Sequence, residues 1–318
     1  MDKTTPIYKD LRRFINTSWG SVGKDGTFPP FFPGPQPISI ERKHMNLLNR
    51  NEYFACEKTD GTRIALVCCT IDGKKVAVTV NRAMEMERVM FCFPRGAFDG
   101  TILDGEMVTA RDGKEYLMIY DAVIVSGQNV KNMNLMERIQ VIDRFIKGVM
   151  KVPSDKFEIK LKKFYYMKHM KYLIEMLNKN KFPYATDGVV FTPVFESIRI
   201  GTHDTMFKWK PREKNTIDFK VRTRHGGDIG LYIQERGEMV FESLLKPGTI
   251  TSEWTTKLHD DVIVECEYQW EQWPRWWKPV GIRTDKTHPN NRRTLHRTMV
   301  NIEENIQLHE FIKLEKGR

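Results

Sequence analysis

The sequence predicts an α+β protein in which a large antiparallel sheet with two packed helices is followed by a small β-barrel. Two observations predict the first part: apolar and polar residues alternate between Asp-Gly turns, and two later segments carry apolar residues at helical spacing. A third predicts the barrel, because short strand-like stretches follow at regular spacing after residue 214. The 318 residues, 40 % of them hydrophobic, can fill two cores.

The first fifty residues predict little regular structure. Residues 10–20, DLRRFINTSWG, predict a short helix ended by Gly20. The glycine- and proline-rich residues 20–39 predict a loop. Ser39 is a candidate cap for a following helix that carries Met45, Leu47 and Leu48.

Period-two alternation then predicts the antiparallel sheet. Residues 63–82 form two strands around an Asp72-Gly73 turn, and residues 98–125 repeat this pattern. Residues 133–149 and 167–180 predict two helices that pack on the sheet. Two later stretches, TDGVVFTP and MFKWKP, predict two more strands of the same sheet.

Pro211 and the polar residues after it place a domain boundary near residue 214. Four strands of the barrel are predicted in TIDFKVR, DIGLYIQE, EMVFESLL and DVIVECEYQW, and residues 301–314 predict an amphipathic helix. We therefore expect a first domain over 1–213, a barrel domain over 214–296, and a C-terminal helix within 297–318 that packs back on the first domain.

Composition limits the partners and the compartment. Lysine and arginine outnumber acidic residues by 51 to 41, a net charge of +10, which favours a polyanionic partner. Five cysteines without a CxxC pair argue against a disulfide framework and a structural zinc site, and they predict a reducing compartment. No apolar run approaches the roughly 18 residues of a membrane span, so we expect a soluble intracellular protein without a membrane partner.

EKTDGTR, residues 57–63, contains a candidate nucleophile. It lies between the strand-like runs EYFAC and IALVCCT, which places Lys58 at a strand edge or turn, with Gly61 allowing close backbone approach. A free lysine is neutral in only about one molecule in 2500 at pH 7, so attack would require neighbouring cations or burial to lower its pKa. Asp-Gly beside charged residues is also ordinary turn chemistry, so this stretch alone leaves both interpretations open.

Five segments occur in the order seen in covalent nucleotidyltransferases: EKTDGTR, LDGEMV, YLMIYDAV, TDGVVF and FKWKP. DNA ligases, RNA ligases and mRNA capping enzymes share them. Three more, FPGPQPIS (32–39), NTIDF (215–219) and RTDKTHPN (283–290), resemble the capping guanylyltransferases specifically. From about residue 30 onward, this resemblance implies a nucleotidyltransferase domain of ATP-grasp-like antiparallel sheets with helices, followed by an OB-fold barrel.

The resemblance implies an mRNA guanylyltransferase. Lys58 would attack the α-phosphorus of GTP, and the resulting lysyl-GMP would pass GMP to the 5′-diphosphate end of RNA to form the GpppN cap. Lys208 and Lys210, two residues apart on a predicted strand, would both face the α-phosphate. Glu106 is similar to the family's ribose-contacting carboxylate, and Asp187 to the acidic residue near a magnesium or manganese ion. Which carboxylate binds the metal stays open.

Other nucleotide contacts in the first domain follow from the same resemblance. Arg63 and Arg82 match positions that hold the sugar and phosphates, and Tyr120 matches the aromatic residue that stacks on guanine. A lysine near KKF would select guanine, with Lys162 favoured and Lys163 as the alternative.

In the second domain, Arg283, Asp285 and Lys286 of RTDK resemble the motif that closes over the triphosphate, with Asp218 nearby. Closure would exclude water, and reopening would admit RNA. Relatives often carry a further basic residue two positions before this arginine, where the chain has Gly281. We therefore expect a weaker charge clamp.

Two other functions fit parts of the sequence: an ATP-dependent RNA or DNA ligase, and a catalytically silent RNA-binding adaptor. Besides GTP and RNA, the expected partners are a separate RNA triphosphatase, a separate methyltransferase and the phosphorylated tail of RNA polymerase II. The expected location is the nucleus, or a cytoplasmic viral factory if the chain is viral. Five tryptophans between residues 254 and 277 could stack on RNA, but we expect at least half of them in the barrel core.

Overall fold

The computed structural model describes residues 1–246, 250–284 and 286–314. The protein is α+β and divides into two compact units. Among these described residues, the first unit contains 1–38, 45–209 and 308–314, and the second contains those of 39–44 and 210–307. The short segment 39–44, which lies inside the predicted first domain, thus groups with the second unit.

The first unit is built mainly of strands. α1 begins at a proline, where the missing N–H costs nothing, and ends at Gly20, whose φ of 76° favours glycine. α3 begins with a capping box between Asn134 and Glu137. In chain order the elements are α1 Pro6–Trp19, β1 Pro35–Ser39, α2 Met45–Arg50, β2 Tyr53–Thr59, β3 Thr62–Ile71, β4 Lys74–Asn81, β5 Met86–Arg88, β6 Thr101–Thr109, β7 Glu115–Val125, β8 Gln128–Asn129, α3 Leu135–Lys147, β9 Phe157–Leu161, β10 Tyr165–Tyr166, α4 Met170–Asn178, β11 Thr186–Pro193 and β12 Gly201–Trp209.

These strands form two sheets, where the sequence predicts one. One sheet has the order β1-β12-β11-β2-β10, and the other has the order β5-β4-β3-β6-β7-β8 with β9 beside β7. The prediction that TDGVVFTP and MFKWKP join the sheet of β3 and β4 is therefore wrong. The chain leaves the first sheet at Thr59 and enters the second at Thr62, so the two sheets meet at the Asp60-Gly61 turn. β9 pairs with β7 in parallel, whereas the other pairs with a described register are antiparallel.

The N-terminal region differs from the prediction in two places. Residues 35–39 form the edge strand β1 beside β12, not a loop, and an edge position tolerates the two prolines because one side needs no ladder hydrogen bonds. Ser39 ends that strand and caps no helix. α2 instead follows a 3₁₀ turn at Arg42–His44.

Helices cover both faces of the second sheet. Because successive residues of a strand point to opposite faces, Val67 packs in a core with Leu11 of α1, whereas Leu66 packs in a separate core with Ile142 and Phe145 of α3. The predicted alternation and both predicted helices are confirmed, but α4, which follows the 3₁₀ turn at Met167–His169, packs on β2 and β10 of the first sheet and not on this one.

The second unit has the strand order of an OB-fold. Its sheet runs β15-β14-β13-β16-β17, with the first strand in the centre. Among the described residues β15 and β17 share no ladder, so the barrel is partly open. The sequence predicts the first four strands and misses β17. The elements are β13 Thr216–Thr223, β14 Ile229–Glu235, β15 Glu238–Leu244, α5 Ser252–Thr255, β16 Ile263–Gln269, β17 Trp276–Ile282 and α6 Arg292–Glu304.

The predicted helix over 301–314 is not one helix. α6 starts at Arg292, with the Asn291 side chain accepting from the Thr294 N–H, and ends at Asn305, whose φ is 44°. A separate short helix, α7 Glu310–Lys313, belongs to the first unit. Its Phe311 is fully buried against Phe191, with ring centroids 4.8 Å apart. The end of the described chain therefore packs on the first unit.

All five cysteines are free thiols, and four of them are buried. None of the helices that the structure describes is both long and apolar enough to cross a membrane.

Candidate active site

A cavity of about 180 Å³ lies in the first unit and is lined by strands of both sheets. Because β2 and β3 belong to different sheets, the EKTDGTR turn brings Lys58 and Arg63 to the same space from opposite sides. Most of the predicted nucleotide contacts of the first unit are among the lining residues. The lining comprises Pro35, Pro37, Cys56, Lys58, Arg63, Glu106, Tyr120, Asp121, Lys162, Phe164, Val190, Thr192 and Met206.

Lys58 points into this cavity and pairs with a carboxylate. Its Nζ lies 2.8 Å from Asp187 Oδ1, and 22 % of its side chain is exposed. The pairing of β11 with β2 shifts between Thr186 and Gly188, so Asp187 is the extra residue of a β-bulge. Gly188, with φ of 152°, lets the backbone make this irregular step. The bulge is the local feature that turns Asp187 toward the amine.

The close backbone approach predicted at Gly61 is confirmed. A Cβ at this position would lie 2.3 Å from the Met107 carbonyl oxygen, far inside contact distance. Gly34 has the same property, because its Cβ would lie 2.1 Å from Arg63 Nη2. Arg63 can therefore pass Gly34 and donate to the Pro35 carbonyl at 2.7 Å.

Asp104 holds two lining residues in place, and the sequence interpretation missed it. Its carboxylate is fully buried and accepts from Arg63 Nε at 3.0 Å and from the Tyr120 hydroxyl at 3.0 Å. Burial opposes the charge on Arg63, but the Asp104 carboxylate outweighs it and raises the pKa of Arg63 above its ordinary value. Burial, chiefly, raises the pKa of Tyr120. The signal was available, since Asp104 lies two residues before Glu106 and so shares its face of β6.

Lys162 is buried at the cavity, with 3 % of its side chain exposed. Its Nζ lies 3.0 Å from Thr59 Oγ1 and 3.8 Å from Glu57 Oε1. Glu57 also accepts from the Tyr184 hydroxyl at 2.9 Å, while its second oxygen is buried without a hydrogen-bond partner. Burial raises the pKa of Glu57, and the Lys162 charge opposes that rise.

Lys163 points elsewhere. Its Nζ lies 5.1 Å from the ring centre of Tyr165 and 5.8 Å from that of Tyr172, and it does not line the cavity. Of the two lysines that the sequence left as alternatives for guanine contact, only Lys162 is at the cavity.

Two carboxylates from different strands contact the neighbouring residues Lys58 and Thr59. Asp187 reaches Lys58 from β11, and Glu106 of β6 accepts a short hydrogen bond from the Thr59 hydroxyl. In the described part of the chain, no three His, Cys, Asp or Glu side chains cluster closely enough to hold a metal by themselves.

The other predicted basic residues of this region lie in three different places. Lys208 pairs with Val190 across β11 and β12, which places it on the cavity face of the sheet. Lys210 follows the end of β12 and belongs to the second unit, so the predicted alternation on one strand is wrong for it. Arg82 is exposed in the turn after β4 and does not line the cavity.

The predicted clamp residues of the second unit meet at one carboxylate. Arg283 Nη1 lies 3.1 Å from Asp218 Oδ1, and Lys286 Nζ makes a short ion pair with Oδ2 of the same side chain. Asp218 is buried, and Asn290 fixes its backbone on both sides, accepting from its N–H and donating to its carbonyl. Asp285 lies outside the described residues.

Comparisons with known proteins cover nearly the whole chain. The family described as mRNA capping enzyme, catalytic domain, matches residues 2–212, and the family described as mRNA capping enzyme, C-terminal domain, matches residues 214–312. The Danio rerio mRNA-capping enzyme is 28 % identical over 280 residues, which is 81 % of this chain and 45 % of that protein. The Schizosaccharomyces pombe mRNA-capping enzyme subunit alpha is 25 % identical over 330 residues, 91 % of this chain and 81 % of that one.

The chain thus spans about half the length of the animal proteins that it matches. Among solved structures, mycobacterial DNA ligase D complexed with ATP and MES aligns over 80 % of this chain and 96 % of that one, with a TM-score of 0.44 and 12 % identity.

Proposed function

This chain belongs to the mRNA capping enzyme family, and from that premise we propose that it is an mRNA guanylyltransferase. It transfers GMP from GTP to the 5′-diphosphate end of RNA through a covalent lysyl-GMP. The observation that carries the proposal is Lys58, a partly buried amine that lines the cavity together with Arg63, Glu106 and Lys162 and contacts Asp187. RNA binding without catalysis does not require an amine at a cavity in contact with a carboxylate.

In the first step the Lys58 nitrogen attacks the α-phosphorus of GTP. The N–P bond forms as the bond to the pyrophosphate oxygen breaks, and the amine loses a proton. Asp187 Oδ1, at 2.8 Å, is placed to accept that proton. Lys208, on the cavity face of β12, supplies positive charge to the phosphates as pyrophosphate departs.

Asp187 and Glu106 suit a magnesium or manganese ion. Magnesium in nucleotide sites is commonly held by one or two carboxylates, with phosphate oxygens and water completing the octahedron, so a third protein ligand is unnecessary. When bound, such an ion would neutralise charge that develops on the phosphates, and the carboxylates of Asp187 and Glu106 would be the protein groups that hold it.

Lys162 selects guanine. Guanine presents two acceptors, O6 and N7, on the edge where adenine presents an amino donor beside N7. An ammonium, which only donates, pairs with the guanine edge and meets the adenine amino group donor to donor. Glu57 and Thr59 fix the Lys162 amine at the cavity wall, so the preference is built into the free enzyme. The Tyr120 ring, held by Asp104, stacks on the base.

In the second step an oxygen of the RNA 5′-diphosphate attacks the lysyl-GMP phosphorus. The P–N bond breaks, Lys58 regains its proton, and the GpppN end is released.

Arg283 and Lys286, in the second unit, act in the first step, where they orient pyrophosphate. Together with Asp218 they carry a net charge of +1, so phosphate oxygens can compete with the carboxylate for them.

The proposal includes partners and a location. An RNA triphosphatase activity must supply the diphosphate end, because guanylyl transfer consumes it, and a methyltransferase activity acts on the product. The phosphorylated RNA polymerase II tail recruits the enzyme to nascent RNA in the nucleus. The net charge of +10 supports an anionic partner of this kind.

Incubation with α-labelled GTP or ATP tests the function. We expect a covalent protein adduct with GTP that Lys58→Ala abolishes, and an unchanged adduct in the control Lys74→Ala, which removes an exposed lysine from the β3–β4 hairpin. An adduct with ATP alone would identify a ligase. RNA binding without any adduct would identify an adaptor, and label retained by Lys58→Ala would refute the assignment of the nucleophile.

A further inference from the structure

The outer face of β13, β14 and β15 carries an unusual surface, which we call the arginine–aromatic face: Arg222, Arg224, Tyr232 and Phe241. We propose that this face binds the single-stranded segment of the RNA that follows its 5′ end. The inference rests on the proposed function, because it assumes an RNA substrate. It names the surface that binds the part of the RNA that lies beyond the reacting 5′ phosphates.

Strand alternation determines which side chains point outward. Phe219 and Val221 of β13, and Leu231 and Ile233 of β14, are fully buried in the core of this unit. Arg222, which follows Val221, and Tyr232, which lies between Leu231 and Ile233, must therefore face outward. Tyr232 pairs with Phe241 across β14 and β15, so the two rings lie side by side on the outer surface.

The rings and guanidinium groups form one continuous cluster. Tyr232 and Phe241 meet edge to face with centroids 5.7 Å apart. The Arg224 guanidinium lies 4.3 Å from the Phe241 ring centre, and its Nη1 lies 3.3 Å from the Tyr232 hydroxyl. The Arg222 guanidinium lies 5.5 Å from the Tyr232 ring centre. Phe241 is 39 % exposed, which is high for a phenylalanine on a sheet.

The charge of the face is only partly compensated. Within the described residues no carboxylate forms an ion pair with Arg222 or Arg224. The neighbouring Asp260 accepts from the Thr223 N–H and hydroxyl, and these bonds, chiefly, lower its pKa, with a smaller contribution from the charge of Arg222. Both guanidinium groups therefore lie outside ion-pair distance of a described carboxylate and can bind an anion.

These features match single-stranded nucleic acid better than a protein or a duplex. Unpaired bases have open π-faces that stack on exposed aromatic rings, and arginines beside the rings take the phosphates between them. OB-folds commonly bind oligonucleotides on the outer face of their second and third strands, which are β14 and β15 here. Stacking tolerates any base, as an enzyme that caps transcripts of many sequences requires.

The test compares RNAs of two lengths. Two 5′-diphosphate RNAs are used, one shorter and one longer than the roughly 4–16 nucleotides that one OB-fold covers. The double variant Arg222→Ala/Arg224→Ala and the single variant Phe241→Ala are assayed for lysyl-GMP formation, for GMP transfer to each RNA, and for binding of the long RNA by fluorescence anisotropy at several salt concentrations.

We expect lysyl-GMP formation and transfer to the short RNA to match wild type. We expect about 10-fold weaker binding of the long RNA and slower transfer to it at subsaturating concentrations, with a salt slope lower by about 1 to 2 in the double variant, roughly one for each lost phosphate contact. Phe241→Leu, which keeps the packing but removes the ring, separates stacking from stability and should resemble Phe241→Ala.

Two controls make the result decisive. Arg293→Ala removes an exposed arginine from α6, away from any stacked ring, and should bind long RNA like wild type. Trp273, 89 % exposed in the β16–β17 connection, is the competing aromatic surface. Unchanged long-RNA binding in the three face variants, or a loss only in Trp273→Ala, would overturn the proposal. Failure of the wild type to form lysyl-GMP would instead count against the proposed function.

Discussion

The amine of Lys58 lies 2.8 Å from Asp187 Oδ1, and the partner carboxylate comes from the single extra residue of a β-bulge. The contact provides an acceptor for the proton that the Lys58 amine must lose when it attacks phosphorus. Removal of this carboxylate should therefore slow the first step.

Asp187→Asn tests the role of this carboxylate in the first step. The amide keeps the size of the side chain but loses the charge that accepts a proton or a metal, so we expect adduct formation from GTP to slow by about 10²-fold or more. Single-turnover labelling at saturating GTP measures the step. Asp112→Asn, in the exposed β6–β7 turn, is the control and should match wild type. An unchanged rate for Asp187→Asn would show that the carboxylate has no part in the chemistry.

Lys162 and Lys163 form a matched pair for base selection. Of these two lysines, only Lys162 lines the cavity. Lys162→Ala should lower the efficiency of adduct formation from GTP by about 10- to 100-fold, because it removes one hydrogen bond to a charged group. The ratio of GTP adduct to ATP adduct should fall as well. Lys163→Ala should leave the GTP to ATP ratio as in wild type. Competition labelling with both nucleotides measures the ratio, and a change confined to Lys163→Ala would reverse the assignment.

The parts of the fold that the sequence predicted depend on short-range patterns. Alternation, Asp-Gly turns and helical spacing act within about ten residues, and they identified most of the strands, α1 and α3. The division into two sheets was missed because it depends on which distant strand pairs with β2, and β11 lies more than 120 residues away in the chain. The edge strand β1 was missed because prolines indicate a loop unless a neighbouring strand offers an edge.

The candidate site shows the same limit. Lys58, Glu106 and Asp187 were found because each sits in a recognisable short segment. Asp104 was missed although strand alternation places it on the face of Glu106, because its contacts with Arg63 and Tyr120 join different strands and appear only in the packed structure. The choice between Lys162 and Lys163 was equally beyond the sequence, since both lie in a short connection between strands and neither alternation nor spacing applies there.

Asp104 should be critical for stability as well as for nucleotide binding. Asp104→Ala leaves the Arg63 guanidinium buried without its carboxylate and the Tyr120 hydroxyl without its acceptor. We expect the free energy of unfolding to fall by about 3–5 kcal/mol, the usual cost of breaking a buried ion pair from one side. Urea unfolding measures this loss, and Asp112→Ala, in the exposed β6–β7 turn, is the control. A loss below about 1 kcal/mol would mean that water replaces the carboxylate.

His203 gives the first unit a pH-dependent stability. Burial, chiefly, lowers the pKa of His203, and Arg199 acts in the same direction while Glu196 and Asp204 oppose it. The unfolded chain therefore binds a proton near pH 6.5 that the folded protein takes up only at lower pH. The stability contributed by the neutral ring is present above about pH 6.5 and is lost as pH falls below it.

His203→Gln should remove that part of the pH dependence. We expect the wild-type free energy of unfolding to fall more steeply than that of the variant between pH 7 and pH 5, measured by urea unfolding at each pH. His225→Gln, in the exposed β13–β14 connection, replaces a ring that is solvated in both states and should follow the wild-type curve. Parallel curves for wild type and His203→Gln would contradict the prediction.

Phe311 anchors the end of the described chain to the first unit. Its side chain is fully buried between Phe191 of β11 and Trp209 of β12, the two strands that carry Asp187 and Lys208. Phe311→Ala should lower the free energy of unfolding of this unit by about 3–5 kcal/mol, whereas Phe311→Leu, which fills most of the volume, should cost less than about 1.5 kcal/mol. Phe195→Ala, at a phenylalanine that is 71 % exposed, should change little. If Phe311→Ala unfolds like wild type, the C-terminal segment contributes no packing energy, and its contact with the strands of the site is incidental.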